Sequence, residues 1–149
     1  MKKLIVFIFL IILLCLTNLT YLSEFKFKSI FPDASVEAFV DEINDKELKN
    51  YNYILNGTGK IVFIKIEHLK DFLKNNKVLG YTIKVNNMHL NDVFKKLEIK
   101  KVKKMQNAYY GVSGKFSKSL KVGNDSYNFE CVKVNNEIHI GTPSLLGSY

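Results

Sequence analysis

After Met1 the chain has two lysines, Lys2 and Lys3, and then thirteen consecutive apolar residues, at positions 4–16. A charged start followed by such a run is typical of an export signal. Extended through residues 17–22, the run reaches nineteen residues, or about 28 Å of helix, close to the roughly 30 Å hydrocarbon core of a bilayer. No alanine occurs before Ala34, so no A-x-A-like cleavage site follows the run. We therefore predict a single membrane pass through residues 4–22.

The charge flanking the run predicts its orientation. The two lysines and the α-amino group precede it, which favours a cytoplasmic amino terminus. The remainder then lies outside the cell membrane, or is secreted if the signal is cleaved, for which Thr20 and Ser23 are small enough. The predicted organisation is a signal peptide or signal anchor over 1–22, a juxtamembrane tether over 23–32, and a single α+β extracytoplasmic domain over 33–149.

The first half of this domain mixes helical and strand-like spacing. Apolar residues from Val36 to Leu48, after the candidate N-cap Asp33, predict an amphipathic helix over about 34–49. The Asn56-Gly57 turn predicts a β-hairpin with strands over 51–55 and 60–66, the second covered on both faces. The segments that follow are predicted to be a short helix burying Leu69, Phe72 and Leu73, a strand over 80–85, and a helix burying Leu90, Val93, Phe94 and Leu97.

From residue 99 the pattern becomes a series of short strands separated by glycine and asparagine turns. The strands are predicted over 99–105, 107–113, 115–122, 126–134 and 137–141. Strands without intervening helices pair antiparallel. The predicted fold class is α+β, with two or three helices packed on one face of a curved, mainly antiparallel β-sheet, behind the amino-terminal apolar membrane segment.

The positive charge of the chain is carried by one type of side chain. All 22 basic residues are lysines, and the net charge is +8. Without arginine the chain lacks the usual side chain for reading guanine or clamping phosphate, so no nucleic-acid partner is predicted. The densest cluster comprises Lys95, Lys96, Lys100, Lys101, Lys103 and Lys104. We expect it to bind an anionic surface such as lipid headgroups or a wall polymer; the alternative is a solvated face or a lysine-protected sheet edge.

The candidate chemical groups do not form a recognisable motif. His68 has a carboxylate one helical turn away at Asp71 but no second histidine at i+4, so no metal site is predicted. Cys131 and His139 flank the Asn135-Asn136 turn, which pairs Cys131 with a residue near 140 and leaves His139 diagonal to it at best. Cys131 is therefore expected to be a buried strand residue, and His139 to be solvent-facing or hydrogen-bonded. No catalytic, cofactor or metal residue is predicted.

The carboxy-terminal half resembles a known family. The segments that carry the resemblance are Leu79-Gly80-Tyr81-Thr82, Tyr109-Tyr110-Gly111-Val112-Ser113, and Ile138-His139-Ile140-Gly141-Thr142-Pro143. They are similar to the YwmB-like family, exported proteins of spore-forming bacteria with a TATA-box-binding-protein-like fold and no assigned activity. The resemblance implies a helix-on-sheet fold and no catalytic residues. A fold related to a DNA-binding protein does not itself confer DNA binding.

Two functions are consistent with these observations. The first is a non-enzymatic, membrane-anchored binding or structural domain of the cell envelope, with an envelope component or a protein as partner and a role during sporulation. The second is a small envelope hydrolase with an unrecognised active site. A cleft that gathers a histidine with Cys131, Ser113 or an acid would favour the hydrolase.

Overall fold

The structure is a computed structural model that describes residues 27–145. The predicted signal segment over 1–22 and the first part of the predicted tether lie outside the described residues. Within residues 27–145, none of the helices combines the length and the hydropathy needed to cross a bilayer.

Ten strands and four short α-helices make up the described chain. The helices are α1 (Phe27–Ile30), α2 (Asp45–Leu48), α3 (Leu69–Asn75) and α4 (Leu90–Lys96), and a 3₁₀ turn, Ile66–His68, precedes α3. The strands are β1 (Ser35–Val40), β2 (Asn52–Asn56), β3 (Gly59–Lys65), β4 (Val78–Asn86), β5 (Lys101–Met105), β6 (Ala108–Val112), β7 (Leu120–Val122), β8 (Asp125–Tyr127), β9 (Phe129–Val134) and β10 (Glu137–Thr142).

Eight of the strands form one antiparallel sheet in the order β2-β3-β1-β4-β10-β9-β6-β5. Strands β7 and β8 pair separately. The coarse prediction of an α+β fold dominated by antiparallel pairing is therefore confirmed. The edge strands of the large sheet are β2 and β5, and the two edges carry very different side chains.

The core lies against one face of the large sheet. Alternate residues of the central strands, such as Ala38, Ile83 and Ile140, are fully buried there. They form one cluster with apolar side chains from outside the sheet, namely Phe27, Phe31, Leu48, Leu69, Phe72, Val93, Leu97 and Phe116. Residues 27–31 of the predicted tether thus form α1 and a turn whose two phenylalanines are buried in the core.

The predicted helix over 34–49 is wrong. Its first half is strand β1, which lies between β3 and β4, and only Asp45–Leu48 is helical. Val36, Ala38 and Val40 are buried while the residues between them are less so, which is the two-residue alternation of a strand. The same valines also satisfy helical spacing, and pairing with two neighbouring strands decided the outcome.

The other elements of the first half follow the predictions more closely. The β2–β3 hairpin turns at Gly57, which has φ of +59°, and α3, β4 and α4 all occur. In β3, however, Val62 and Ile64 are buried while Phe63 is exposed, so the strand is covered on one face and not on both. The segment after β10 lies over Gly141 on the same face as Phe63, farther along the sheet.

Two predicted strands near the carboxy terminus are also different. Of the segment 115–122 only Leu120–Val122 is extended in a ladder, because Phe116 instead turns into the core and stacks on Phe27, with ring centroids 5.3 Å apart. The segment 126–134 is interrupted at Asn128, which separates β8 from β9. Its buried side chain bonds to the loop around Ser113.

Candidate functional site

The six lysines at positions 95–104 form a continuous edge of the molecule, which we call the lysine surface. Lys95 and Lys96 end α4, and Lys101, Lys103 and Lys104 lie on the edge strand β5. Lys100 lies between them, and all six are exposed.

Local backbone geometry joins the helix to the sheet edge. Glu98 takes a positive φ of 52°, which reverses the chain after α4. The amide of Ile99 then donates to the Phe94 carbonyl at 3.1 Å, and that of Lys100 donates to the Val112 carbonyl at 3.0 Å. The short connection holds the two lysines of α4 beside those of β5.

Four of the six lysines contact other groups of the chain. Lys101 donates to Asp125 at 2.8 Å, and Lys103 lies 3.7 Å from the same carboxylate. The hydrogen bond from Lys101 lowers the pKa of Asp125 and the bond to Asp125 raises the pKa of Lys101. Lys96 donates to the carbonyl of Ile30 at 3.1 Å. The Lys104 ammonium lies 5.5 Å from the centre of the Tyr109 ring.

Little negative charge offsets the rest of the surface. Glu98, the acid within the 95–104 interval, pairs with Lys115 at 2.7 Å. Among the described residues, Lys95, Lys96, Lys100 and Lys104 form no ion pair with a carboxylate, and Lys96 is held instead by its hydrogen bond to the Ile30 carbonyl. Within residues 27–145, Lys95, Lys100 and Lys104 have neither an ion pair nor a hydrogen bond of this kind, so their ammonium groups are the most available to an external anion.

The same residues also protect a sheet edge. Lysines along an edge strand discourage pairing with a strand of another chain, and β5 carries three lysines among five residues. Protection of the edge requires no ligand, whereas the binding function predicts a measurable affinity for an anionic surface.

The structure separates the candidate nucleophile from the candidate base. Cys131 pairs with Ile140, as predicted, and is fully buried on the core face. Burial, with a smaller contribution from Glu130, raises the pKa of the Cys131 thiol to about 12. His139 pairs with Val132 on the opposite face, where its Nε2 lies 2.9 Å from a Glu137 carboxylate oxygen. The two side chains cannot act as a nucleophile and base on one substrate.

The other candidate histidine is His68. His68 is exposed and lies 3.6 Å from Glu67. Across residues 27–145, no three His, Cys, Asp or Glu side chains lie close enough to hold a metal ion.

Two polar groups that the sequence analysis did not single out have structural roles. Glu130 accepts hydrogen bonds from the Tyr110 hydroxyl at 2.9 Å, the Ser144 hydroxyl at 2.6 Å and the Leu145 amide at 3.0 Å, which fixes the chain after β10 against β9. Burial and then the bond to Glu130 raise the pKa of Tyr110. Asn128 has a comparable role in the loop after β6. Both depend on contacts between segments distant in sequence, so no local pattern signals them.

Comparisons with known proteins identify no relative. No family model matches the chain, and no curated protein or solved structure is significantly similar to it.

Proposed function

We propose that the protein is a non-enzymatic, membrane-anchored extracytoplasmic domain whose lysine surface binds anionic groups of the cell envelope. In this proposal residues 4–22 cross the membrane once and the carboxy-terminal domain lies outside. The ligand is the anionic lipid headgroup layer around the anchor. An anionic wall polymer carries the same charge and is the other source to be tested.

The contact between Lys96 and Ile30 is the observation that carries the proposal. The Lys96 ammonium lies 3.1 Å from the carbonyl at the end of α1, the first described element. Only four residues, 23–26, separate Phe27 from the predicted membrane segment, and they span at most about 14 Å when extended. A domain attached in this way has its lysine surface close to the headgroups.

The expected binding is weak and depends on salt. A lysine near an anionic membrane contributes about 1 kcal/mol, so Lys95, Lys100 and Lys104, whose ammonium groups have neither an ion pair nor a hydrogen bond in the described chain, contribute about 3 kcal/mol together. The attraction decays over about 8 Å at physiological ionic strength. Attachment by the membrane segment makes this weak attraction sufficient to orient the domain.

The binding test uses a chain that starts at residue 23, which retains the whole described core, including Phe27 and Phe31. Sedimentation with anionic vesicles, neutral vesicles and insoluble wall polymer, each measured separately, identifies the ligand. We expect binding to anionic vesicles that weakens steeply between 0.05 and 0.5 M salt, in line with charge screening.

Substitution of three lysines tests the site. The triple variant Lys95→Gln, Lys100→Gln and Lys104→Gln should lose up to about 100-fold in affinity. The matched control changes three exposed lysines elsewhere, Lys49, Lys74 and Lys77, to glutamine. Equal binding by both triple variants, or binding that persists at 0.5 M salt, would show that the lysine surface is only a solvated edge.

Anchoring is tested on the full chain in cells. The protein should sediment with membranes and resist an alkaline wash, because residues 4–22 are held in the hydrocarbon core. Recovery from the medium of a species that starts near residues 21–24 would refute the anchor and leave only export.

The resemblance to the YwmB-like family extends the proposal to a role in sporulation. We propose this kinship from the carboxy-terminal segments quoted above, with an envelope protein as a further partner. A pulldown of the tagged full chain from membranes, compared between growth and sporulation, tests both points. The alternative of a small envelope hydrolase requires a nucleophile beside a base, and Cys131 and His139 lie on opposite faces of the sheet.

A further inference from the structure

The two edges of the large sheet differ in charge. The lysine-rich strand β5 ends one side, whereas the strand at the other edge, β2, has the uncharged sequence Asn-Tyr-Ile-Leu-Asn. Every residue of β2 is exposed, and Tyr53, Ile54 and Leu55 have exposed fractions of 45%, 51% and 75%. An uncharged, apolar edge strand is a surface to which another strand can add.

The hairpin geometry shows which backbone groups of β2 are available. Asn56 pairs with Gly59 across a two-residue turn, so this pair is hydrogen-bonded and the pairs alternate from there. Asn52, Ile54 and Asn56 direct their amides and carbonyls toward β3. Tyr53 and Leu55 direct theirs outward, and in the described chain β3 is the one strand paired with β2.

We propose that β2 pairs antiparallel with β2 of a second copy of this chain, about a twofold axis that passes beside Ile54. In this register the outward amide and carbonyl of Tyr53 in each copy pair with those of Leu55 in the other copy. The two symmetric pairs form two hydrogen bonds each, four in total. Asn52 lies opposite Asn56. The two eight-stranded sheets become one continuous sheet.

The sequence of β2 favours a second copy as the occupant. Two chains of net charge +8 repel each other, and pairing through β5 would bring six lysines together. Pairing through β2 brings together no charged residue of the strand. The strand is also self-complementary, because an apolar residue lies opposite an apolar residue and an asparagine opposite an asparagine in the proposed register.

The adjoining face extends the apolar contact. Ile54 pairs with Ile61, which in turn pairs with Phe39, so these side chains form one row across three strands on the face opposite the core. Phe63, with an exposed fraction of 39%, lies beside this row on the same face. Pairing buries Ile54 of each copy against the other at the end of the row. The twofold axis is perpendicular to the joined sheet, so the lysine surfaces of the two copies lie at its opposite ends, and a dimer of this form presents one of them to a membrane at the sheet edge. The inference does not rest on the proposed function.

A disulfide cross-link tests the register. Ile54 lies opposite Ile54 of the second copy in a non-hydrogen-bonded pair, where the Cα atoms are about 4.5 Å apart, within the range a disulfide spans. The full chain with Ile54→Cys and Cys15→Ser, in non-ionic detergent with a mild oxidant, should form a covalent dimer. The matched control is Lys103→Cys in the same background, at the centre of the other edge strand, and it should remain monomeric.

Sedimentation equilibrium tests the association without a cross-link. The mass of the full chain, after subtraction of bound detergent, should double as protein concentration rises. Ile54→Lys, which places two ammonium groups opposite each other, should remain monomeric, whereas Leu79→Lys, at another exposed leucine, should still dimerise. The inference is overturned if the wild-type chain stays monomeric at all concentrations, which is also the result expected if the apolar edge contacts lipid instead. Equal cross-linking of Ile54→Cys and Lys103→Cys would overturn it as well.

Discussion

Replacement of Asn128 by alanine should strongly destabilise the domain. The side chain is 8% exposed and forms three hydrogen bonds to one loop. Its Oδ1 accepts from the Ser113 amide at 2.8 Å, and its Nδ2 donates to the carbonyls of Ser113 at 2.6 Å and Phe116 at 3.0 Å. These bonds hold Phe116 in the core, where it stacks on Phe27.

The magnitude follows from the number of bonds. A hydrogen bond contributes about 1 kcal/mol net, and a buried group left without a partner costs about 1 to 3 kcal/mol. Asn128→Ala removes three bonds and leaves the Ser113 amide unpaired at a site where Ser113 is 1% exposed. We expect a loss of about 3 kcal/mol in the free energy of unfolding, near the upper end of ordinary point substitutions.

Urea denaturation of the full chain in non-ionic detergent, followed by circular dichroism, measures this loss. A decrease of about 3 kcal/mol lowers the midpoint by about 1 to 3 M urea for ordinary slopes. Asn136→Ala, at an exposed turn asparagine, is the matched control and should shift the midpoint little. Asn128→Asp should be less destabilising at pH 4 than at pH 7, because only the protonated carboxyl can donate to a carbonyl. If Asn128→Ala unfolds at the same midpoint as the control, the hydrogen bonds do not hold the loop as described.

Two further predictions concern buried positions of the sheet. Because burial raises the pKa of Cys131 to about 12 from a usual value of 9.0, the folded state holds this proton more tightly than the unfolded state. The free energy of unfolding relative to Cys131→Ala should therefore be constant below pH 9 and fall by up to about 1.4 kcal/mol per pH unit as pH rises toward 12. A thiol that reacts quickly in the native protein at pH 7 would contradict the burial of Cys131. Gly111→Ala should cost about 1 to 3 kcal/mol, since a Cβ there would overlap the Phe129 ring and the Lys101 carbonyl; Gly114→Ala, where a Cβ meets open space, is the control in the same denaturation assay.

Local signals predicted the hairpins well. The Asn-Gly sequence before Gly59 specifies a tight turn because Gly57 takes a positive φ without strain, and the register that pairs Cys131 with Ile140 follows from the short turn after β9. Local signals were ambiguous at β1, because the valines at positions 36 and 40 fit both helical and strand periodicity. Pairing with β3 and β4, strands distant in sequence, distinguishes the two and cannot be seen locally.

The sequence predicted the charge of the candidate site but not the arrangement of its side chains or their partners. Sequence spacing identifies six lysines in ten residues, yet it does not show that Asp125 neutralises part of the positive charge of Lys101 and Lys103. It also does not show that Lys96 contacts the helix nearest the predicted membrane segment. These contacts depend on the packing of the β7–β8 hairpin and α1, so only the folded chain distinguishes the lysines whose charge is offset from those that remain available.

The assignment of the lysine surface to the membrane is tested most directly by depth-dependent quenching of a fluorophore at Val102→Cys, an exposed and uncharged position of β5. The chain carries Cys15→Ser and is reconstituted in anionic liposomes containing nitroxide-labelled lipids. We expect quenching at low salt that disappears at 0.5 M salt and in neutral liposomes, because the lysine surface is held at the headgroups by charge. The same fluorophore at Thr58→Cys, in the β2–β3 turn at the opposite edge of the sheet, should be quenched weakly under all conditions. Equal quenching at the two positions, or quenching at Val102→Cys that is insensitive to salt, would contradict the assignment of the lysine surface to the membrane.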